Sequence, residues 1–495
     1  MFLFFIYQLI IEFNHFDDCV LILFRTNSHS TDKNSSELFK TTPDFKTMIR
    51  ITFWSGLGFI FFMFLKSYVV IYYFGGSGID LGVIMSLQPL ARLFSMPLIA
   101  YLTDRTSKKR LVLVGSMGRT IAYFLYWISL VIPNLVLFGI GTFVQGLLVG
   151  FFWPPFFSLI SEKSFKGNRT QALATGRGKM IGYGFLIGAF ISIPIFALVS
   201  IFIPENIPLM YSPLLIFAII NLIAGYHFYK KVDENLTYEI FIASLNEYSL
   251  KSNNNNGPID ANNGNKDIEN LKSGESADKK DHKSFYIGFF FLILGILATS
   301  ITGTIYSPFV SAYLIESLLP EFSERIIPII VMIVYFPAQV LSQLVAAKLG
   351  KSYDRTSPLL SVIVIGIFKA LMIWLLISAL GPIDFAIVLI FLYIAAESNG
   401  YLIQAIMSRI SIKHRGKIFG LNMWIDRLGR VIGPLIGGIL WDTLDYNLPF
   451  IISIYMGLCL IPIFMVAIRK LSPHMKEQVE IDKMGIINIK KLSDS

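Results

Sequence analysis

Twelve long apolar segments follow Met48 in the sequence, each ended by charged residues, proline or glycine. Each is long enough to cross the ~30 Å hydrocarbon core of a bilayer as a helix, which takes ~20 apolar residues. The segments are 51–74, 80–103, 111–132, 135–160, 178–201, 208–229, 285–314, 326–349, 358–380, 383–407, 418–441 and 447–468. None alternates with period two, so the predicted fold class is an all-α membrane protein with twelve transmembrane helices, not a barrel.

The lysines and arginines between these segments are divided unequally between two sides. The connections at 75–80, 132–134, 202–207, 315–325, 381–384 and 442–446 hold only Arg325. The opposite set holds sixteen basic residues: Arg105, Lys108, Lys109, Arg110, Lys163, Lys166, Arg169, Arg177, Lys179, Lys348, Lys351, Arg355, Arg409, Lys413, Arg415 and Lys417. Basic loops stay in the cytoplasm, which predicts a multi-pass plasma-membrane protein with both termini inside. The same clustering argues against nucleic acid as a partner.

The segments outside the spans suggest how the chain is divided. The stretch 1–24 is apolar but interrupted by Glu12, Asp17 and Asp18. We predict that residues 1–47 form an N-terminal extension that is poorly ordered or reflects a start at Met1 instead of Met48; a thirteenth span or interfacial helix is the alternative. Residues 231–284 are rich in asparagine and mixed charge, which is typical of a disordered cytoplasmic linker. The linker separates six-helix bundles at 48–230 and 285–472, and a cytoplasmic tail follows at 473–495.

An internal repeat relates the two bundles. The string Asp-Arg-Thr-Ser begins at Asp104 and again at Asp354, 250 residues later, in equivalent loops. Arg119 and Lys369 are also 250 residues apart, each inside the third span of its half. Duplicated six-helix halves are a known transporter architecture, with a central site where the halves meet.

At this point the chain resembles a major facilitator superfamily (MFS) transporter. The family's loop signature is Gly-x-x-x-Asp-Arg-x-Gly-Arg/Lys-Arg/Lys; here Asp104, Arg105, Lys108 and Lys109 match it, while Ala100 and Ser107 replace the glycines. Two glycine- and proline-rich stretches also resemble the family's helices: Gly146, Gly150 and Pro154 in the fourth span, and Gly429, Gly433, Pro434, Gly437 and Gly438 in the eleventh. The resemblance implies two six-helix bundles that rock around a central cavity.

The resemblance also implies a gate. Asp104 would face the start of the eleventh span and Asp354 the start of the fifth, where a carboxylate is stabilised by a helix N-terminus. Such contacts, together with Arg105, Lys108 and Arg355, would latch the halves on the cytoplasmic side. The alternative is that the basic residues only set topology. Gly433 and Pro434 would assist bending and gating, with plain packing as the alternative.

Ionisable residues deep in the spans are candidates for function, because placing a charge inside the membrane costs free energy and such residues usually have a functional role. Lys66, Arg92 and Glu397 are predicted to bind substrate, although a structural Arg92–Glu397 salt bridge is an alternative. Asp426 is spaced to pair with Arg430 four residues later. Proton coupling would have to use Glu397 or Asp426. For Arg119 and Lys369, on helices that are peripheral in the family's fold, we expect anchoring of the cytoplasmic loops.

Polar and aromatic residues at similar depth complete the predicted site. Gln88, Gln145, Trp153 and Asn399 are candidates to line the cavity, although each is individually as typical of helix packing. We expect a monomeric secondary transporter of a small organic solute. An anionic or zwitterionic solute is the favoured substrate, and efflux of drug-like compounds is the next candidate. A non-transporting sensor or scaffold is the alternative. We expect no enzyme, no metal site and no cofactor beyond a coupling proton or other ion; the stretch Gly350-Lys351-Ser352 lacks the upstream glycine of a phosphate loop.

Overall fold

The computed structural model describes residues 41–164, 180–242, 244, 279–323, 325–353, 357–410 and 415–472. Helices make up nearly all of this part of the chain, and its β-type pairing is an isolated bridge between Thr41 and Ser164. Most of the predicted N-terminal extension, most of the predicted linker and the predicted tail lie outside the described residues. Below, the end of the bundle with the basic loops is called the predicted cytoplasmic end, and the opposite end the predicted outer end.

The N-terminal half contains the first six predicted spans. Its helices are α1 (Phe45–Gly56), α2 (Phe59–Tyr68) with a π-helical turn at Val69–Tyr73, α3 (Gly78–Arg105), α4 (Lys108–Val131), α5 (Leu135–Val149), α6 (Trp153–Glu162), α7 (Met180–Phe202), α8 (Ile207–Met210) and α9 (Pro213–Lys231). The first span is formed by α1 and α2 and the fourth by α5 and α6. Inside this half, α4 packs against α5 and α9, and α7 packs against α1.

The C-terminal half contains the other six predicted spans. Its helices are α10 (Lys279–Tyr306) with a 3-10 turn at Ser307–Phe309, α11 (Val310–Leu318), α12 (Ile327–Tyr353), α13 (Pro358–Ile377), α14 (Pro382–Ile410), α15 (Arg415–Thr443) and α16 (Leu448–Leu471). Here α10 packs against α15 and α16, and α12 packs against α14. The two halves meet mainly where α3 lies along α15 and α7 along α12.

The predicted all-α membrane fold is confirmed. Ten helical segments of the described chain are long and apolar enough to cross a membrane. The first predicted span is outside this set because it is broken, and its α1 piece has only 12 residues. The eleventh, α15, carries Asp426, Arg427 and Arg430 near its middle. Both exceptions therefore come from features that interrupt an apolar helix: a break in the first span and charged residues in the eleventh.

The first span is interrupted around Leu57. Helix α1 ends at Gly56 and α2 begins at Phe59. At this break α7 approaches so closely that a Cβ added at Gly188 would overlap the Leu57 carbonyl. Small residues permit such close contact between membrane helices. The glycines of α7 thus allow a broken helix to be buried in the bundle.

Arg119 supports the last turn of α1, whose carbonyl groups have no partner within the helix. The Arg119 guanidinium donates to the Ser55 carbonyl at 2.6 Å and to Asn221 Oδ1 at 3.1 Å, and lies 5.3 Å from the centre of the Phe152 ring. Only 3% of the residue is exposed. The prediction that Arg119 anchors the cytoplasmic loops is therefore wrong, because its side chain joins α4 to α1 and α9 inside the bundle.

Arg119→Met is expected to lower the melting temperature of the solubilised protein by roughly 5 °C. The change leaves the Ser55 carbonyl and the Asn221 amide oxygen buried without this donor, and an unsatisfied buried polar group costs about 1–3 kcal/mol. Scanning fluorimetry measures the effect. Arg110→Met is the matched control, because Arg110 is exposed on the same helix. Equal melting temperatures for the two variants would contradict this role.

A buried ion pair joins three chain segments at the predicted cytoplasmic end. Lys163 Nζ lies 2.7 Å from Asp44 Oδ2 and donates to the Leu236 carbonyl at 2.9 Å, while the Asp233 N–H donates to Asp44 at 3.2 Å. These contacts tie the start of α1 to the ends of α6 and α9. The described bundle therefore includes residues 41–47, which the sequence predicts to belong to the extension.

Candidate functional site

Glycines allow α3 of one half to lie directly against α15 of the other. A Cβ added at Gly82 would overlap the Pro434 carbonyl, and one added at Gly438 would lie 2.5 Å from the Gly78 carbonyl. About one turn further along the interface, Ser86 Oγ donates to the Val431 carbonyl at 2.7 Å. Backbone contact over this length leaves little room for large side chains. The two halves are therefore in direct backbone contact along α3 and α15.

Hydrogen bonds connect the two halves at the predicted outer end. The Asp442 carboxylate, at the end of α15, accepts from the backbone N–H of Gly78 at 2.8 Å and of Ile79 at 2.7 Å. It thus caps the N-terminus of α3, where the helix dipole favours a negative charge. Tyr72 donates to the Ala312 carbonyl at 3.3 Å at the same end. A third contact joins Ser200 Oγ to the Arg325 carbonyl at 3.1 Å.

The latch predicted from the family signature lies at the other end, and part of it can be located. Arg105 is exposed and donates to Tyr101 on its own helix at 2.6 Å. Lys108 pairs with Glu162 at 2.5 Å, also within the N-terminal half. Among the residues that the structure describes, neither contacts the other half in this conformation, so these two residues do not form the predicted latch here. The side chain of Asp104 and the residues Asp354 and Arg355 lie outside the described part of the structure.

Lys66 and Arg92 bring two positive charges together on the N-terminal half. Lys66 is 5% exposed and its ammonium group donates to Gln88 Oε1 at 2.8 Å. Arg92 lies one turn after Gln88 on α3, and its positive charge repels that of Lys66. The Nε atom of Arg92 is buried and has no hydrogen-bond partner. Because α2 and α3 both contact the C-terminal half, these groups lie close to the surface where the halves meet.

The acidic residues of the C-terminal half differ in their surroundings. Asp426 accepts from Arg430 Nε at 2.9 Å and from Ser300 Oγ at 2.7 Å, so the pair predicted from the i, i+4 spacing is present. Arg427 lies 3.9 Å from the same carboxylate. Glu397 is partly buried, and its negative charge interacts with the positive charge of Arg430. It forms no ion pair with Arg92 although both residues are described, so the alternative of a structural Arg92–Glu397 bridge is wrong.

The remaining predicted site residues are divided between packing and cavity positions. Gln145 is buried and accepts from the Tyr126 hydroxyl at 3.0 Å, so here it joins α4 to α5 rather than lining a cavity. Trp153 stacks on Phe157 at the start of α6, where the fourth span is interrupted after Gly150. Asn399 lines a cavity within the C-terminal half.

The two residues predicted to gate the eleventh span face different neighbours. A Cβ at Gly433 would overlap Thr304 Oγ1 of α10, so Gly433 serves packing inside the C-terminal half. The carbonyl of Pro434 faces Gly82 across the interface between the halves.

Two contacts near the candidate site, those of Asp442 and Ser300, have little signal in the sequence. Asp442 lies near the end of a glycine-rich helix, outside the repeated loop signature. Its position at the last turn of α15, opposite the Ser-Gly start of α3, could have been recognised only with the pairing of the two helices known. Ser300 was missed because a single serine in an apolar span carries no distinctive pattern. Charge counting alone cannot show which acid already has partners.

Comparisons with known proteins agree with this architecture. A family profile described as Major Facilitator Superfamily matches residues 49–244 and 289–492. "Multidrug resistance protein 2" of Bacillus subtilis (strain 168) is 20% identical over 385 residues, covering 76% of this chain and 83% of the relative.

Among solved structures, the nucleoside transporter NupG has a TM-score of 0.57 and 13% identity, covering 86% of this chain and 99% of that one. A bacterial homolog of the human lysosomal transporter Spinster, inward-facing and unoccupied, has a TM-score of 0.58 and 12% identity over 88% and 99% of the two chains. A mutant of the peptide transporter POT in complex with sulfate has a TM-score of 0.61 and 13% identity over 86% and 95%. At 12–13% identity the similarity to these structures establishes the fold alone. The family is established by the profile, which matches both halves of the chain. The chain belongs to the major facilitator superfamily.

Proposed function

We propose that the protein is a secondary active transporter that moves a small anionic or zwitterionic organic solute by alternating access. The observation that carries this proposal is the arrangement of Lys66 and Arg92. Two like charges close together repel each other, and an unpaired charge away from water is costly. In the described part of the structure Arg92 forms no ion pair with a carboxylate, and its Nε atom has no hydrogen-bond partner. A bound carboxylate group would neutralise both and give the Nε atom of Arg92 an acceptor.

The charges around Arg92 strengthen this choice of solute. Its electrostatic neighbours include Arg427 and Arg430, while the acid among them, Asp426, is already engaged by Arg430 and Ser300. The field at Arg92 therefore stays positive. A cationic solute would meet repulsion there. A zwitterion would place its carboxylate at Arg92 and its ammonium group towards Glu397.

Drug-like efflux is the second candidate, and it is supported by the name of the Bacillus subtilis relative. The two candidates differ in the charge of the solute. Purified protein is tested by scanning fluorimetry with lactate, succinate, L-glutamate, L-alanyl-L-alanine, uridine and ethidium, and stabilising compounds are then followed in proteoliposome counterflow. Stabilisation and flux with a carboxylate or the dipeptide support the proposal. Flux of ethidium alone supports drug efflux, and stabilisation without flux in either direction supports a sensor.

Glu397 is proposed to carry the coupled proton, because Asp426 is held by Arg430 and Ser300 while Glu397 has no ion pair in the described chain. Glu397→Gln is expected to abolish the acceleration of flux by an imposed pH gradient while exchange of solute across the membrane continues. Proteoliposomes with and without the gradient measure this. Asp384→Asn is the control, since Asp384 is exposed near the start of the same helix. A gradient response that persists in Glu397→Gln at every pH contradicts coupling through this residue.

A further inference from the structure

A cavity lies within the C-terminal half, among helices α10, α13, α14 and α16. It is small and partly open, with about 40 Å³ of space for molecules of the size of water. Neither Lys66 nor Arg92 lines it, so it is distinct from the proposed central site. Most of the wall is apolar, and five polar side chains interrupt it: Thr299, Thr302, Lys369, Asn399 and Ser453. No carboxylate is among the described residues that line it.

Lys369 supplies the charge of the cavity. It lies near the middle of α13 and its side chain passes Gly303 of α10, where an added Cβ would lie 3.9 Å from Nζ. The ammonium group lies 5.8 Å from the centre of the Tyr306 ring. Within the described residues it makes no hydrogen bond and no ion pair. A ring face offsets only about 0.5–2 kcal/mol of the cost of a buried charge, so the ammonium group keeps strong donor capacity. The prediction that Lys369 anchors the cytoplasmic loops is therefore wrong.

The repeat provides an internal comparison. Arg119 and Lys369 are each the twelfth residue of the third span of their half. Arg119 is satisfied by protein groups, the Ser55 carbonyl and the Asn221 amide oxygen. Lys369 faces hydroxyl groups and a glycine instead. The same position thus holds a partnered cation in one half and a cation directed into a cavity in the other.

The hydroxyl groups of the cavity are not equivalent. Thr302 Oγ1 donates to the Ala298 carbonyl at 2.7 Å, and Ser453 Oγ donates to the Thr302 carbonyl at 2.9 Å, so both donors are used. Thr299 Oγ1 is buried and has no hydrogen-bond partner. Buried polar atoms are nearly always satisfied, and an exception needs an explanation. Thr299 and Lys369 together offer donors to the cavity.

We infer that the cavity of the C-terminal half binds a small monovalent anion, a halide or a short carboxylate, held by the Lys369 ammonium group and the Thr299 hydroxyl. A single cation and the absence of lining acids suit one negative charge. The largely apolar wall suits an ion with little hydration or a short alkyl chain. Divalent and extensively hydroxylated anions would leave charges or hydroxyl groups without partners there.

Scanning fluorimetry of the full-length protein in detergent tests this inference. Sodium chloride, sodium acetate and sodium gluconate are compared at equal ionic strength, gluconate being the bulky hydroxylated reference. An anion at about ten times its dissociation constant is expected to raise the melting temperature by a few degrees. A response to chloride alone identifies a halide site, and a response to acetate alone a carboxylate site. No difference among the three salts up to 0.5 M would overturn the inference.

Variants assign the effect to this cavity. Lys369→Met, which keeps the length of the side chain, is expected to abolish the anion-dependent shift, while Lys369→Arg retains it. Thr299→Val is expected to raise the midpoint of the anion titration about tenfold, the effect of losing a hydrogen bond to a charged group. Thr302→Val is the matched control, because its hydroxyl already serves its own helix. An undiminished shift in Lys369→Met, or equal midpoints in the two threonine variants, contradicts the site.

Discussion

Arg92→Gln is expected to weaken binding of an anionic or zwitterionic solute roughly a hundredfold and to reduce its flux in proteoliposomes accordingly. Removing one partner of a buried, hydrogen-bonded charge pair costs about 2–5 kcal/mol, and 2.7 kcal/mol corresponds to a hundredfold. The loss should be large because Lys66 already donates to Gln88, whereas Arg92 has a buried Nε donor without a partner. Removing a cation from beside Lys66 also relieves repulsion, so the variant should fold at least as stably without solute.

The measurement is a titration of solute-induced stabilisation, followed by counterflow with the same compound. Arg469→Gln is the matched control. It makes the same chemical change away from the interface, because Arg469 is exposed in the last turn of α16. Arg92→Lys should retain part of the affinity, since it keeps the charge but loses the planar set of donors. Unchanged affinity and flux in Arg92→Gln would refute the cationic site.

The helical membrane fold follows from local sequence features. An apolar run has to form its backbone hydrogen bonds within itself in lipid, so each span could be located without knowledge of its neighbours. The duplication was visible because Asp104 and Asp354 begin the same string 250 residues apart. The break at Leu57 was not predicted, because it depends on how closely α7 approaches and on Arg119 supporting the last turn of α1.

The candidate site could be predicted only as a set of residues. Depth along a span indicated Lys66, Arg92 and Asp426, since charge at depth is costly for any arrangement of helices. Their partners depend on which helix faces which. The Lys66–Gln88 contact crosses from α2 to α3, and Asp426 finds Ser300 on α10.

The surroundings of Gln145 and Lys369 depend on the rotation of each helix about its own axis. Gln145 faces Tyr126 inside its own half, and Lys369 turns into a separate cavity. Rotation of a largely apolar helix is weakly specified by its sequence, because nearly every face is hydrophobic.

Asp442→Ala is expected to open the predicted outer end and shift the equilibrium between conformations by about ten- to a hundredfold. The carboxylate accepts two backbone hydrogen bonds across the halves, from Gly78 and Ile79. A hydrogen bond to a charged group contributes about 1.5–3 kcal/mol, and the exposed N-terminus of α3 recovers part of this from water once the end opens. Asp442→Asn keeps one acceptor oxygen and should give an intermediate shift. In the proposed alternating-access cycle these bonds would break each time the predicted outer end opens, so weakening them should favour the open state directly.

Spin labels at Pro133 and Leu380, which are exposed in loops of different halves at the predicted outer end, report this opening as a distance. The labels are introduced with Cys19 and Cys459 replaced by serine. We expect Asp442→Ala to populate a longer distance that is minor in the parent. Asp445→Ala is the control, because Asp445 lies three residues away and accepts from Asn447 within its own loop. If the distance distribution of Asp442→Ala matches that of the control, the capping bonds do not hold the outer end closed, and closure must rest on the packing of α3 against α15.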